Sequence, residues 1–245
     1  MNKVKYDKEF YLNQKDSSYR SAQIVLECLF SLYKPNSIAD FGCGVGTWLK
    51  AAQELIGNDG EFIGVDGAWG GKEDLLPNFI EFYECDLTKP FQLPKKVDLA
   101  ISVEVAEHLR AESAETIVDT IVGASDVIMF SAAIPGQGGV DHINEQYQSY
   151  WCKLFVERGY TCFDLLRPVI FNDAEVGVGY RQNTLVYVKT NSDAMRKFEG
   201  YEPANLRMID IVHPGLLERV LTNGSKNSVL MKRLIKNILN GSRSH

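Results

Sequence analysis

Short apolar runs alternate with longer amphipathic stretches along most of the chain. The runs have the length of buried strands, and the stretches between them place apolar residues three and four positions apart, as amphipathic helices do. The predicted strands are residues 37–41, 63–66, 82–87, 97–104, 127–131, 160–166 and 184–188. The predicted helices are residues 21–30, 47–56, 111–123 and 151–158. Because strands and helices alternate, the pattern predicts an α/β fold built on a parallel sheet.

The two ends of the chain lie outside this alternation. We expect residues 1–36 to form a helical cap over the pocket of a domain spanning residues 1–190, and residues 191–245 to form a helical extension. The extension is net basic, although the whole chain carries a net charge of −6. Leu230 and Leu234 share one face of a predicted helix within it. We expect that face to contact the domain itself or the second copy of a homodimer.

A glycine-rich turn follows the first predicted strand. Gly42, Gly44 and Gly46 occupy alternate positions after Asp40, and a helical pattern begins at Thr47. Glycine adopts positive φ angles and lets a ligand approach the backbone, while the first amides of a helix favour electron-rich groups. The pattern predicts a cofactor-binding turn, with a turn that only joins strand to helix as the alternative. The spacing differs from the Gly-x-Gly-x-x-Gly of dinucleotide binders, which argues against a nicotinamide-dependent oxidoreductase.

Later predicted strands also end in carboxylates. Asp66 ends the second strand, where a parallel strand would bring an acid to the hydroxyls of a ribose. Asp86 ends the third strand, and Glu104 ends the fourth. Because the carboxyl ends of parallel strands meet at one edge of a sheet, we expect these acids to surround one pocket.

Four segments in this order resemble the signature segments of class I S-adenosylmethionine-dependent methyltransferases. They are residues 40–46, 65–66, 85–87 and 102–109, and the resemblance covers about residues 37–190. It implies a Rossmann-like sheet of seven mostly parallel strands with an antiparallel last strand, and S-adenosylmethionine as the cofactor. The residues that it assigns to the cofactor pocket are Asp40, Gly42, Gly44, Gly46, Asp66, Asp86, Leu87, Ser102 and Glu104.

A second resemblance concerns the acceptor. Residues 130–146 and 180–183 resemble a bacterial subgroup associated with surface-polysaccharide and secondary-metabolite pathways. This implies an O-methyltransferase for a small polar acceptor, such as a sugar or a phosphorylated precursor of a cell-surface glycan. The candidate acceptor contacts near the pocket mouth are Tyr19, Arg20, Gln137, Asn144, Tyr180 and Arg181. Among them Arg181 would suit a phosphate or carboxylate.

Methyl transfer to a hydroxyl needs a base near the acceptor. His108 and His142 are predicted to face the crevice beyond the strand ends, and imidazole accepts a proton near neutral pH. We expect His142, next to Asp141, to be the base, and His108 to be a second catalytic candidate or a structural residue. These three residues and Glu104 could also converge on a divalent ion such as magnesium. Adjacent residues rarely chelate one ion, so no metal is predicted.

Composition narrows the alternatives. The chain has 245 residues, 45% of them hydrophobic and 24% charged, as in ordinary globular proteins. The charge of −6 argues against binding nucleic acid through a broad basic surface. Five cysteines without a Cys-x-x-Cys pair predict reduced thiols and a cytoplasmic location, and neither a secretion signal nor a membrane span is expected. A non-catalytic nucleotide-binding partner subunit is the remaining alternative to an enzyme.

Overall fold

The computed structural model describes residues 8–68 and 76–224. The strands are β1 (Ser37–Phe41), β2 (Glu61–Asp66), β3 (Ile80–Glu84), β4 (Leu99–Val103), β5 (Val127–Ser131), β6 (Tyr160–Phe163) and β7 (Leu185–Lys189). The helices are α1 (Lys8–Leu32), α2 (Thr47–Ile56), α3 (Ala114–Ala124), α4 (Gln148–Glu157), α5 (Arg167–Ile170), α6 (Val178–Asn183) and α7 (Pro214–Gly224). The alternation of strands and helices predicted from the sequence is therefore present.

The seven strands form one sheet in the order β3-β2-β1-β4-β5-β7-β6. Strands β1 to β5 run parallel, and β7 lies antiparallel between β5 and β6. The strand order reverses between β1 and β4, and such a reversal opens a crevice beyond the carboxyl ends of the two strands. The predicted Rossmann-like sheet of seven mostly parallel strands, with an antiparallel last strand, is confirmed.

Each face of the sheet is covered by helices. Ala39 and Phe41 of β1 pack with residues of α3 and α4 in one hydrophobic cluster. Ile38, whose side chain points to the opposite face, packs in a second cluster with residues of α1 and α2. All five residues of β5 are buried, as expected for a central strand covered on both faces. The polar edge formed by the carboxyl ends of the strands is where ligand-binding groups can collect.

The chain after β7 returns to this packed structure. Ile209 is buried in the first hydrophobic cluster, and its carbonyl accepts a hydrogen bond from the buried Arg167 at 2.8 Å. The carboxylate of Asp210 accepts hydrogen bonds from the backbone N–H and the hydroxyl of Ser149 at 2.7 and 2.6 Å. Asp210 thereby satisfies a free amide at the start of α4 that no residue of the helix itself could satisfy.

Some boundaries differ from the sequence predictions. α3 begins at Ala114 rather than near Ala111, because two short 3₁₀ turns, Ala106–His108 and Ala111–Ser113, follow β4 first. The predicted helix around Leu230 lies outside the described residues, and the domain boundary after residue 190 stays a prediction. Within the described part of the chain, no helix is both long enough and apolar enough to cross a membrane.

Candidate functional site

The glycine turn between β1 and α2 has the backbone that its sequence predicted. The φ angle is 89° at Gly42, 53° at Gly44 and 73° at Gly46, values that other residues rarely adopt. A Cβ atom at Gly42 would collide with Val105, and one at Gly46 would lie 2.5 Å from Ile80. At Gly44 no described atom lies within 4 Å of such a Cβ. The turn is thus packed at its two ends and open in the middle.

Asp66, at the end of β2, faces this open middle. Its carboxylate accepts hydrogen bonds from the backbone N–H of Gly44 at 2.7 Å and from that of Gly67 at 2.6 Å. These two bonds fix the orientation of the carboxylate at the turn. Asp40 is buried one residue before the end of β1, with 3% of its surface exposed. The structure therefore joins the glycine turn and Asp66 as predicted from the sequence.

Three other predicted cofactor residues, Asp86, Leu87 and Ser102, make no contact with the glycine turn in the hydrogen bonds described. Asp86 is exposed and accepts hydrogen bonds from the hydroxyl and the backbone N–H of Thr88, which lower the pKa of Asp86. Leu87, beside it, is buried. Ser102 is fully buried, and its hydroxyl donates to the carbonyl of Phe41 at 2.9 Å, which ties β4 to β1. Asp86, Leu87 and Ser102 stay predictions as cofactor contacts.

Glu104 follows β4 with a left-handed backbone, φ 55°. Its carboxylate accepts hydrogen bonds from the hydroxyl of Ser131 at 2.9 Å and from the side-chain amides of Gln137 at 2.6 Å and Asn183 at 3.0 Å. Gly179 lies close to it, since a Cβ there would be 2.8 Å from a carboxylate oxygen. Glu104 therefore connects β4 with β5, the loop after β5, and α6.

We expect the substitution Glu104→Gln to destabilise the protein by about 1–3 kcal/mol, because the new amide group would face the donors of Gln137 and Asn183. Chemical denaturation measures this difference. Glu112→Gln, which changes an exposed carboxylate in a neighbouring turn, is the matched control and should stay within about 0.5 kcal/mol of wild type. Equal stability of the Glu104→Gln protein and wild type would show that this hydrogen-bond network does not support the fold.

Buried amides extend the network towards the C-terminal segment. The side-chain oxygen of Gln137 accepts hydrogen bonds from Asn183 at 2.9 Å and Gln182 at 3.3 Å. The side-chain oxygen of Gln182 accepts the backbone N–H of His213 at 2.8 Å. Arg219 of α7 donates to the backbone carbonyl of Gln137, also at 2.8 Å. The sequence did not predict the contacts of His213 and Arg219, because residues far apart in the chain make them.

The two predicted histidines meet at the same edge of the sheet. The ring centroids of His108 and His142 are 4.8 Å apart, with an angle of 88° between the ring planes. Nδ1 of His142 lies 3.2 Å from a carboxylate oxygen of Glu145, which also accepts two backbone N–H groups of the glycine-rich loop. One ring nitrogen of His108 hydrogen-bonds the backbone carbonyl of Asp141. Each ring is therefore held through one of its nitrogen atoms.

The charges around the histidines follow from burial and these contacts. His108 is exposed at the surface, but the groups packed around its ring desolvate it in part, and this desolvation, followed by the neighbouring His142, lowers its pKa. Burial alone would raise the pKa of Glu145, but the hydrogen bonds from His142 and the backbone outweigh it and lower that pKa. Glu145 therefore stays a carboxylate and orients the ring of His142. Glu145 was not predicted, because only the folded loop shows that it reaches this ring.

Glu107 is the third group beside the two histidines. Its side chain is fully buried, and neither carboxylate oxygen has a hydrogen-bond partner among the described residues. Burial, followed by the charge of Glu104, raises the pKa of Glu107 to about 9. One ligand atom each from Glu107, His108 and His142 lie within 4.8 Å of one another. Glu107 was not among the predicted site residues; an acid directly before His108, three positions after Glu104, was the available signal.

The predicted acceptor contacts on α1 are engaged with neighbouring side chains. The hydroxyl of Tyr19 donates to Glu54, and burial together with this carboxylate raises the pKa of Tyr19 to about 12. The ammonium of Lys50 lies 5.1 Å from the centroid of the Tyr19 ring. Arg20 is exposed and pairs with Glu175 at 2.8 Å. Tyr19 therefore contacts α2, and Arg20 contacts the segment before α6. The roles of both residues as acceptor contacts stay predictions.

The remaining predicted acceptor contacts belong to two segments, α6 and the loop after β5. The hydroxyl of Tyr180 is 3.2 Å from that of Ser18, and its ring packs edge-on against Trp48. Arg181 donates to a backbone carbonyl of the segment before α6. Asn144 is buried, and its side-chain nitrogen has no partner among the described residues. Gln137 and Asn144 thus lie in the same loop as His142, whereas Tyr180 and Arg181 lie on α6.

Comparison with known proteins gives one sequence match. No family model matches the chain. A stretch of 95 residues is 33% identical to the ribosomal RNA large subunit methyltransferase E of Methanococcus aeolicus and covers 37% of this chain. It spans only 35% of that protein, so the match reaches about a third of the length of the curated relative.

Solved structures with low sequence identity share the fold. The plantazolicin methyltransferase BpumL, in complex with a pentazolic desmethylPZN analog and SAH, has a TM-score of 0.55 at 12% identity, over 75% of this chain and 89% of that one. An O-methyltransferase family protein from Burkholderia thailandensis has a TM-score of 0.54 at 12% identity, over 77% and 61%. The methyltransferase domain of bacterial CtHen1-C has a TM-score of 0.52 at 16% identity, over 69% and 97%. The chain therefore has the Rossmann-like fold of class I S-adenosylmethionine-dependent methyltransferases.

Proposed function

We propose that this protein is an S-adenosylmethionine-dependent O-methyltransferase acting on a small polar acceptor, such as a sugar or a phosphorylated precursor of a cell-surface glycan. One observation carries the proposal: the carboxylate of Asp66 faces the open glycine turn at Gly44, on the sheet edge that also holds His108 and His142. The turn and the acid suit an adenosyl cofactor, and the histidines suit a hydroxyl that must lose its proton.

The cofactor half of the proposal rests on the space at the glycine turn and on the carboxylate that is fixed beside it. The amides of α2 begin directly after Gly46, so a ligand over Gly44 lies near the amino terminus of a helix. Asp66 is fixed by two backbone N–H groups and presents at the end of β2 a carboxylate, the kind of group that accepts the hydroxyls of a ribose in such folds. The alternatives, a nicotinamide-dependent oxidoreductase or a non-catalytic subunit, are not favoured by the glycine spacing or by a fold shared with methyltransferases.

The proposed chemistry is an in-line displacement. The acceptor oxygen attacks the methyl carbon as the bond from that carbon to sulfur breaks, and S-adenosylhomocysteine leaves with a neutral sulfur atom. The proton of the hydroxyl is lost at the histidine pair, where we assign His142 as the base and Glu145 as the residue that orients its ring. Alignment of the two reactants supplies most of the remaining acceleration.

The acceptor class rests on charge and on the second sequence resemblance. A chain with a net charge of −6 suits a small molecule better than a polyanion. Arg181 on α6 offers a cation to a phosphate or carboxylate of the acceptor. RNA is the second candidate acceptor, because the matched relative is a ribosomal RNA methyltransferase.

The test is to incubate the protein with S-adenosylmethionine carrying a labelled methyl group, in parallel with a small-molecule extract and with total RNA from the host. We expect label in a small polar product, which mass spectrometry identifies by its added methyl on oxygen. Label in RNA alone would show that the acceptor is RNA rather than a small molecule. Label in neither fraction would favour a non-catalytic subunit.

A substitution at Gly139 can displace the proposed base, His142, without changing any proposed cofactor contact. A Cβ at this position would collide with Nε2 of His142. We expect Gly139→Ala to lower the rate of methyl transfer at least about tenfold, because small misplacements of a reacting group have effects of this order or larger, and to leave the affinity for S-adenosylhomocysteine unchanged. Gly123→Ala, where no described atom lies within 4 Å of the new Cβ, is the control. An unchanged rate would separate His142 from the reaction.

We also propose a cytoplasmic location, because all five cysteines are free thiols. Cys152 and Cys162 are close enough for a thiol hydrogen bond between them. Labelling of five thiols in the protein isolated without reductant is the expected result. A homodimer stays a proposal that light scattering tests.

A further inference from the structure

We propose that Glu107, His108 and His142 bind a divalent transition-metal ion that activates the acceptor hydroxyl. The inference rests on the methyl transfer proposed for the same site, adds a cofactor that the sequence analysis did not predict, and replaces the proposed base role of His142 by that of a metal ligand. The ligand set also differs from the one considered there: the carboxylate of Glu104 is engaged by three donors, and Asp141 offers its backbone carbonyl to His108.

The distances between the three groups suit one ion. Adjacent residues rarely chelate one ion, but the 3₁₀ turn that holds Glu107 and His108 brings one ligand atom of each, and one of His142, within 4.8 Å of one another. Two atoms bound to one ion at about 2.0–2.2 Å are at most about 4.4 Å apart, so small side-chain rotations bring all three into coordination. One carboxylate and two imidazoles are the donors preferred by Mn²⁺, Co²⁺ or Zn²⁺, whereas Mg²⁺ and Ca²⁺ prefer oxygen ligands alone.

The partners of the two histidines are those of metal-bound imidazoles. Metal-binding histidines usually donate their second ring N–H to a carboxylate or a backbone carbonyl, which fixes the tautomer and aims the other nitrogen at the ion. His142 has such a carboxylate in Glu145, and His108 has such a carbonyl in Asp141. Both rings therefore keep one nitrogen lone pair for a ligand.

The buried carboxylate of Glu107 is the second, independent observation. A fully buried carboxylate without a hydrogen-bond donor is unfavourable and rare, and a bound ion is one explanation for such a group. Glu107 is fully buried, and neither of its oxygens makes a hydrogen bond of normal geometry among the described residues. The backbone N–H groups of Glu107 and Ala133 are near enough to lower its pKa, but burial and the charge of Glu104 outweigh them. A divalent cation between Glu107 and the two histidines supplies the missing positive charge.

A metal held by three protein ligands keeps open positions, and the acceptor hydroxyl can occupy one of them. The cation lowers the pKa of the hydroxyl, which then loses its proton to water before its oxygen attacks the methyl carbon. S-adenosylhomocysteine leaves as in the proposed reaction, so one proton and one methyl product are formed. His142 then acts as a ligand rather than as the base.

Calorimetric titration of the full chain, stripped with a chelator, tests the site with Mn²⁺, Zn²⁺ and Mg²⁺. We expect one equivalent of Mn²⁺ or Zn²⁺ to bind at least tenfold more tightly than Mg²⁺. Glu107→Gln, His108→Ala and His142→Ala should each abolish this binding, and Glu145→Gln should weaken it about tenfold or more through the orientation of His142. Glu112→Gln, at an exposed carboxylate, is the control and should bind the metal as wild type does.

Two further measurements separate the metal site from folding and from methyl transfer. The Glu107→Gln protein should unfold at or above the temperature of the metal-free wild type, because the amide is neutral and nearly the same shape as the buried carboxyl group, and S-adenosylhomocysteine should bind to it normally. The proposal is overturned if all three ligand variants still bind the metal, or if wild type binds no metal, even when methyl transfer proceeds. Metal binding that depends on the three residues supports it even if no acceptor is found, in which case only the proposed function fails.

Discussion

Replacing His142 with alanine is expected to lower the rate of methyl transfer by about two to four orders of magnitude, the range that a positioned proton acceptor contributes. The affinity for S-adenosylhomocysteine should change by less than about twofold, because the contacts of His142 are with Glu145 and His108 rather than with the glycine turn. Single-turnover kinetics with saturating cofactor measure the rate, and calorimetry measures the affinity.

The His108→Ala protein and the double variant complete this comparison. Residues that act as one unit are strongly non-additive, so the double variant should be about as slow as the slower single variant. The expectation holds whether the pair removes the proton directly or through a bound ion, and the dependence of the wild-type rate on added Mn²⁺ distinguishes the two. Unchanged rates in all three proteins would remove both histidines from the reaction.

Replacing Asp66 with alanine is expected to weaken the binding of S-adenosylhomocysteine about a hundredfold. Hydrogen bonds to a charged acceptor contribute about 1.5–3 kcal/mol, and the substitution also releases the backbone N–H of Gly44 from its partner. Calorimetric titration gives the dissociation constant. The loss should appear in binding, with the fold intact, because the two hydrogen bonds described for the carboxylate go to backbone N–H groups of half-buried turns rather than to the hydrophobic core.

Two variants make this prediction sharper. Asp66→Asn keeps one acceptor oxygen and should fall between wild type and Asp66→Ala. Asp59→Ala removes an exposed carboxylate from the turn before β2 and should bind the cofactor product as wild type does. Wild-type affinity in the Asp66→Ala protein would place the ribose away from β2.

The glycine turn was predictable because its requirement is local. Alternate glycines after an apolar run indicate a backbone that needs positive φ, and the angles at Gly42, Gly44 and Gly46 are all of this kind. The seven-stranded sheet was predictable for the same reason, since a buried strand such as β5 is a short continuous apolar run. The position of Asp66 beside Gly44 then follows from parallel strands that share one edge.

The polar groups around the histidines depend on contacts between distant segments. Glu107 is isolated only once the turn after β4 is covered by the loop after β5, whose residues donate backbone N–H groups to its carbonyl rather than to its carboxylate. Glu145 reaches His142 because its carboxylate is held by amides of a glycine-rich loop. Neither periodicity nor local spacing indicates contacts between distant segments. The two histidines were therefore predicted, whereas Glu107 and Glu145 beside them were not.

The C-terminal segment shows the same limit. Its composition differs from that of the preceding residues, which predicted a helical extension that contacts the domain or a second copy. In the structure Ile209 lies in the main core, and Arg219 donates to the backbone carbonyl of Gln137 beside the site. Such anchoring depends on single hydrogen bonds across the fold, and a shift in composition does not reveal it.

A crystal structure of the protein with S-adenosylhomocysteine tests the central claim most directly, namely that the carboxyl edge of β1, β2 and β4 holds an adenosyl cofactor. The account predicts the ribose hydroxyls within about 3 Å of the carboxylate of Asp66, the amino-acid portion over the turn at Gly44, and the sulfur atom facing His108 and His142. A cofactor product bound elsewhere, or this edge filled by NAD instead, would contradict it.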